Sequence, residues 1–283
     1  MTACINGFFA IFIIYAFSGC LLIEEERPVV GKITDYAKFL NNLSYDDLNN
    51  NRISIDDNRF YRDPQNPNTM IYDRQIGVDL ATADGGIEVL KRLASCALTE
   101  SEVLQLEQRL AGYPDFPGKL GFAPSLGSGS ALSLTEQRLV SACMIAQLNA
   151  MDKEVCISLR AKDAAGNTVV DTESGEQTEF AFYEGTFFGN IFLPASQALE
   201  LYSCQGNAPN DPANYSEDRE YRVGTDDPSD LFIEVQGSCS NSNACNANNG
   251  NYGHTNCSAN GELYSQTISV YLRNGSHDST CEN

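Results

Sequence analysis

Two histidines (His254 and His277), ten cysteines and 38 acidic residues carry the reactive chemistry of this chain. A Ser–His or Cys–His nucleophile needs its histidine beside a strand end or helix start that fixes the geometry. His254 falls in an Asn- and Gly-rich stretch and His277 in the polar C-terminal tail. The run Gly127-Ser128-Gly129-Ser130 fits neither G-x-S-x-G nor, with Leu132 at the last position, G-x-G-x-x-G. Paired carboxylates need only two converging acids. Glu184, flanked by Phe182, Tyr183, Phe187 and Phe188, is the first candidate for a carboxylate of shifted pKa. Its competing role is that of a strand-end residue facing solvent.

Cys239, Cys245, His254 and Cys257 offer a Cys₃His set. Their spacing, C-x₅-C-x₈-H-x₂-C, lacks the C-x₂₋₄-C knuckles of common zinc sites. We therefore expect no metal there. Asp56-Asp57-Asn58, Asp226-Asp227 with Asp230, and Asn210-Asp211 with Asp218 present hard oxygen ligands that suit Ca²⁺. None has EF-hand or nonapeptide spacing. Solvated turn acids account for them, so no cofactor is expected, with Ca²⁺ left open.

The compartment decides how the cysteines are read. Phe8–Phe17 is an unbroken run of ten apolar residues, the length of a signal-peptide core, since a spanning helix needs about 20. It ends in Ser18-Gly19-Cys20, followed by Leu21-Leu22-Ile23 and Glu24-Glu25-Glu26. The segment resembles a bacterial lipoprotein signal, which implies that Cys20 is acylated and becomes the first residue. Phe17 stands where Leu is usual, and Met1–Gly7 has no Lys or Arg. The alternatives are a plain signal peptide cut near Gly19, giving a secreted protein, or an uncleaved anchor helix. Loss of Cys4 with the leader and acylation of Cys20 leave Cys96, Cys143, Cys156, Cys204, Cys239, Cys245, Cys257 and Cys281. An even set outside the cytoplasm reads as disulfides, here with 105 allowed pairings.

Removal of residues 1–19 leaves 283 − 19 = 264 residues, enough to bury a core. An apolar content of 42% argues against general disorder. The formal charge of −20 lies wholly in the mature chain. It repels nucleic acid and anionic lipid, and no basic cluster overrides it.

Residues 20–80 read as a polar tether and loop region, with turn chemistry at Asp46-Asp47 and Asn49–Asn51 and a short helix at Ile33–Leu43. Residues 84–151 read as helical. One helix starts at Asp84, a second at a Thr99/Glu102 capping box runs to about Ala111, and a third, opened by Ser133/Glu136, spans Leu134–Met151. Apolar side chains around most of the third helix mark it as central. Residues 112–132 form a Gly/Pro-rich loop with core-packing side chains at Phe116, Leu120, Phe122 and Leu126.

Residues 154–273 read as strands. Val155–Arg160 turns back at Thr168–Val170, Phe180–Tyr183 and Thr186–Phe192 flank Glu184-Gly185, and further strands fall at Leu201–Cys204, Glu220–Val223, Leu231–Gln236 and Tyr264–Leu272. Residues 237–261 are too rich in Asn and Gly to build a core, so we expect disulfides to hold them as an excursion between strands. Residues 274–283 are a tail. The whole is an α+β protein, N-terminal helices packed on a C-terminal antiparallel sheet or sandwich, stapled by disulfides.

Five segments follow one another along the chain: Leu93–Leu98, Gly121–Pro124, Glu136–Cys143, Ile157–Arg160 and Tyr183–Asn190. Together they resemble exported cysteine-rich lipoproteins of myxobacterial-type proteobacteria, over roughly residues 88–272. That family has no assigned activity, so no catalytic residue is carried over. The resemblance implies a Gram-negative envelope. Leu21 after the acylated cysteine is not an acidic inner-membrane retention signal, which favours the outer membrane.

The function expected is a lipid-anchored envelope module that binds or builds. Its candidate contact surface lies around Tyr252, suited to a glycan or a protein partner. An exported hydrolase using paired carboxylates near Glu184 is the alternative, although an enzyme is the less favoured class.

Overall fold

The computed structural model describes residues 38–41, 43–53, 60–72, 80–106, 115–126, 131–148, 155–162, 168–172, 175–206, 233–240, 244–248 and 250–273. All of them belong to one unit, Asp35–Glu282. Cys20, Cys281, His277, the strand expected at 220–223 and the candidate calcium loops at 56–58, 210–218 and 226–230 lie outside the described residues. Among the described residues no helix is long and apolar enough to cross a membrane.

Strand β1 (Lys38–Asn41) occupies part of the stretch where a short helix was expected. Its backbone pairs antiparallel with residues 155–158, so a distant partner overrides local propensity. Helix α1 (Tyr45–Asn50) replaces the expected turn. Ser44 and Asp47 form a reciprocal capping box, which satisfies N–H groups that would otherwise be orphaned, and Leu48 is buried beneath it.

Next come β2 (Phe60–Arg62) and β3 (Thr69–Tyr72), then α2 (Gly86–Ala97). The cap of α2 is Gly85, one residue past the expected Asp84. Its φ of +74° is left-handed, and a Cβ there would overlap the Asp47 carboxylate. Asp84 instead offers its carbonyl to the Asn51 amide.

The Thr99/Glu102 pair does not open a helix. It makes a turn into β4 (Val103–Leu106). In a capping box the hydroxyl accepts from the backbone. Here the Thr99 hydroxyl donates to Glu102 Oε2 at 2.9 Å. Leu104 and Leu106 are buried while Val103 and Gln105 are half-buried, a strand period. Strands β2, β3, β4 and β5 (Phe116–Pro117) form one sheet, parallel between β3 and β4 and antiparallel elsewhere. Phe116, Phe122 and Leu126 of the expected loop are buried in the core.

Helix α3 (Leu134–Ala146) begins at the expected capping box. Ser133 Oγ accepts from Glu136 N–H, and the Glu136 carboxylate accepts from Ser133 N–H. Burial alone would raise the Glu136 carboxyl, but bonds from Ser133 and Ser125 outweigh it and hold the pKa below the usual range. The Cys96–Cys143 disulfide ties α2 to α3.

A second sheet of seven strands follows. It comprises β1, β6 (Val155–Lys162), β7 (Thr168–Val170), β8 (Phe182–Asn190), β9 (Glu200–Gln205), β10 (Glu234–Ser238) and β14 (Ile268–Leu272), with a short helix α4 (Glu176–Glu179) between β7 and β8. The order is β1-β6-β14-β8-β9-β10, with β7 paired to β6, and all pairings are antiparallel except β9–β10. Alternation divides it into two faces. Ile157, Leu159, Phe187, Leu201, Ile268 and Val270 face the core shared with α2, α3 and the four-stranded sheet.

The other face is covered by a small antiparallel sheet, β11 (Cys245–Asn248), β12 (His254–Ala259) and β13 (Glu262–Tyr264). A 3-10 turn at Gly250–Tyr252 joins its first two strands. The Asn/Gly-rich segment is thus a pleated hairpin as well as a disulfide-held excursion. The α+β class, its antiparallel sheets and its disulfides are those the sequence leads one to expect.

Candidate functional site

The chemistry-bearing residues meet where the small sheet lies on the large one. Strand β8 runs unbroken through Glu184-Gly185, where two strands were expected. Opposite it on β14, Val270 pairs with Gly185 and Tyr271 with Tyr183, so Glu184 is the extra residue of a β-bulge. The bulge resets the alternation. Tyr183 and Thr186, three apart, therefore share a face and are hydrogen-bonded at 2.5 Å. Glu184 is buried at 5% exposure, mid-strand and not at a strand end.

Tyr183 Oη lies 3.0 Å from His254 Nδ1, and Thr186 Oγ1 lies 2.6 Å from Ser269 Oγ. Burial lowers the His254 pKa and raises the Tyr183 hydroxyl far above its ordinary value. With a neutral imidazole protonated on Nε2, the bonds run Ser269 to Thr186 to Tyr183 to His254. Each hydroxyl then donates once. Thr267 Oγ1 donates to the His254 carbonyl at 2.7 Å. Gly253, at φ +73°, allows the approach, because a Cβ there would overlap Ser269 Oγ.

The chain of bonds is a docking seam. A nucleophile must donate to the histidine that deprotonates it. Here His254 meets a tyrosine that holds its proton tightly, and Ser269 is two hydroxyls away under the hairpin.

Arg160, 2% exposed, closes the same face. It donates to the Phe180 carbonyl at 2.6 Å and the Asn251 carbonyl at 3.3 Å, and stacks 3.7 Å over Tyr271. Burial lowers its pKa, and the adjoining Tyr271 opposes that shift.

Tyr252 sits in the 3-10 turn. Its hydroxyl donates to Asp171 Oδ1 at 2.8 Å, and Lys162 Nζ lies 4.6 Å from its ring centre. Asn251 donates to Gln177 Oε1 at 2.9 Å. The candidate contact residue is therefore held on the body of the protein by exposed polar bonds.

The cysteines form pairs: Cys96–Cys143, Cys204–Cys239 and Cys245–Cys257. Cys156 is also disulfide-bonded. Cys239, Cys245, Cys257 and His254 do not form one ligand set as they stand. The thiols are in disulfides, and His254 Nδ1 is directed at Tyr183. Cys204, from a strand remote in sequence, takes the place of His254, with its Sγ 3.3 Å from Cys245 Sγ. No local spacing pointed to Cys204; only the pairing of β8 with β9 brings it there.

Around these sulfurs stand Phe188, Tyr202 and Tyr264, with ring centres 5.4 to 5.8 Å apart. The Tyr264 hydroxyl donates to Glu200 at 3.0 Å, and Arg138 lies over the Tyr264 ring while paired with Glu262. Burial and the Glu200 carboxylate raise the Tyr264 pKa.

No family model matches this chain, and no curated protein or solved structure matches it significantly.

Proposed function

We propose that this chain is a lipid-anchored module of a bacterial envelope, held to the membrane through Cys20, that binds or builds and does not catalyse. One observation carries the reading: all seven described cysteines are disulfide-bonded. Such a set persists in an oxidising compartment and not among cytosolic thiols. The apolar run before Cys20 and the strongly acidic mature chain agree with export.

The bonding of the reactive residues supports a non-enzymatic role. His254, Tyr183, Thr186 and Ser269 seal the hairpin. Glu136 caps a helix, and Glu200 and Glu262 engage Tyr264. The contact surface we assign is the Gly250–Tyr252 turn, whose Tyr252 ring Asp171 and Lys162 orient toward a glycan or a protein of the envelope.

Replacing Cys20 with Ala tests the anchor. We expect the variant to leave the membrane fraction and stay folded. A variant that remains with the membrane contradicts lipid attachment at that residue.

A further inference from the structure

The Cys204–Cys239 and Cys245–Cys257 disulfides lie against each other in one buried cluster. Cys204, Cys239 and Cys257 are fully buried and Cys245 is 5% exposed. The Sγ atoms of Cys204, Cys245 and Cys257 all lie within 4.8 Å of one another. Around a tetrahedral zinc ion, with Zn–S of about 2.3 Å, the sulfurs stand about 3.8 Å apart. Here Cys204 and Cys245 Sγ stand 3.3 Å apart, and Cys204 and Cys257 Sγ lie within 4.8 Å of each other.

We propose that, once reduced, Cys204, Cys239, Cys245 and Cys257 form a four-thiolate site for one Zn²⁺ ion.

The scaffold favours this. Strands β9, β11 and β12 and the turn after β10 converge on the four sulfurs. Cys245 and Cys257 are register partners in the small sheet, so β11 and β12 hold them together without their bond. The turn after β10 is held by Cys239 N–H donating to the Gln205 carbonyl at 2.7 Å. Cys239 Sγ stands outside the group of Cys204, Cys245 and Cys257 and joins it through its bond to Cys204; once that bond opens, the two sulfurs must part by about 2 Å to stand as two zinc ligands do. The shell is apolar and aromatic, built from Phe188, Tyr202, Ala244, Ala259 and Tyr264. Such a shell excludes water from the ion.

The chemistry balances with two equivalents of a dithiol reductant. Each disulfide takes two electrons and two protons to give two thiols, and each dithiol closes to its own disulfide. The four thiols then bind one Zn²⁺ and release four protons. The centre has two closed states, two disulfides or one metal thiolate, and in each all four sulfurs are bonded.

The test uses the full mature chain, reduced without oxygen by a phosphine that does not chelate. It is alkylated with and without Zn²⁺, and the modified cysteines are mapped by peptide mass. We expect one zinc per chain. We expect Zn²⁺ to slow alkylation of Cys204, Cys239, Cys245 and Cys257 by roughly tenfold or more and to leave the rates of Cys96 and Cys143 unchanged. The comparison is made within one protein, so it does not depend on a variant that folds. Failure to retain zinc, or equal slowing of all six, overturns the proposal. A Cys204→Ser chain that holds zinc as tightly as the parent overturns it too.

Discussion

At the residue scale, the seam between the sheets turns on the bond from Tyr183 to His254. Tyr183→Phe removes the donor and leaves a buried imidazole nitrogen unsatisfied, so we expect a loss of about 1–3 kcal/mol in urea unfolding. Arg160 and the disulfides should keep the fold. Burial sets the pH dependence of His254. Its folded pKa lies below the ordinary 6.5, so the unfolded chain binds the proton more readily. The contribution is complete above 6.5 and falls away as the pH drops through 6.5 toward the folded value. Glu136, lowered from 4.5, acts further into acid. Its contribution is present above 4.5 and is lost as the pH falls toward its folded value. We therefore expect the urea midpoint to decline below about pH 6.5 in the parent and to decline less steeply in a His254→Gln variant. Parallel profiles would remove His254 from the account.

At the scale of elements, local signals succeeded where side chains could act within one turn. The Ser133/Glu136 box opens α3 where the sequence places it, and Ser133→Ala should cost about 1 kcal/mol by thermal unfolding. The Thr99/Glu102 box has the same residue types but yields a turn, because β3 and β5 recruit the next residues into a sheet. The strand expected at Val155–Arg160 and its partner at Thr168–Val170 were legible from the turn chemistry between them, and the first strand runs on to Lys162. The bulge at Glu184 was not. A bulge depends on the register of β14, which lies more than 80 residues away. Cys204 escaped the metal reading for the same reason, since its neighbours are brought by strand pairing and not by spacing. The disulfides rank by the loop each closes. Loss of Cys96–Cys143, separated by 47 residues, should cost about 4 kcal/mol, and loss of Cys245–Cys257, separated by 12, about 3. Double Cys→Ala variants compared by denaturant unfolding check that order.

At the scale of the whole molecule, one arrangement links compartment to fold. Helices α2 and α3 and the four-stranded sheet cover one face of the large sheet, and the disulfide-bonded hairpin covers the other. The second face is polar at its heart, with Arg160, Thr186, His254 and Ser269 buried together beside the half-buried Tyr183. The disulfides beside it hold the covering hairpin in place against solvent. Cysteine oxidation is thus built into the stability of the fold, and the export and Cys20 anchor we propose would carry that fold to an oxidising membrane surface. The direct test is the intact mass of the protein from the membrane fraction, alkylated before and after reduction. The account predicts a chain beginning at Cys20 with added acyl mass. It also predicts that Cys96, Cys143, Cys156, Cys204, Cys239, Cys245, Cys257 and Cys281 are alkylated only after reduction. A chain that keeps residues 1–19, or thiols that react without reduction, contradicts it.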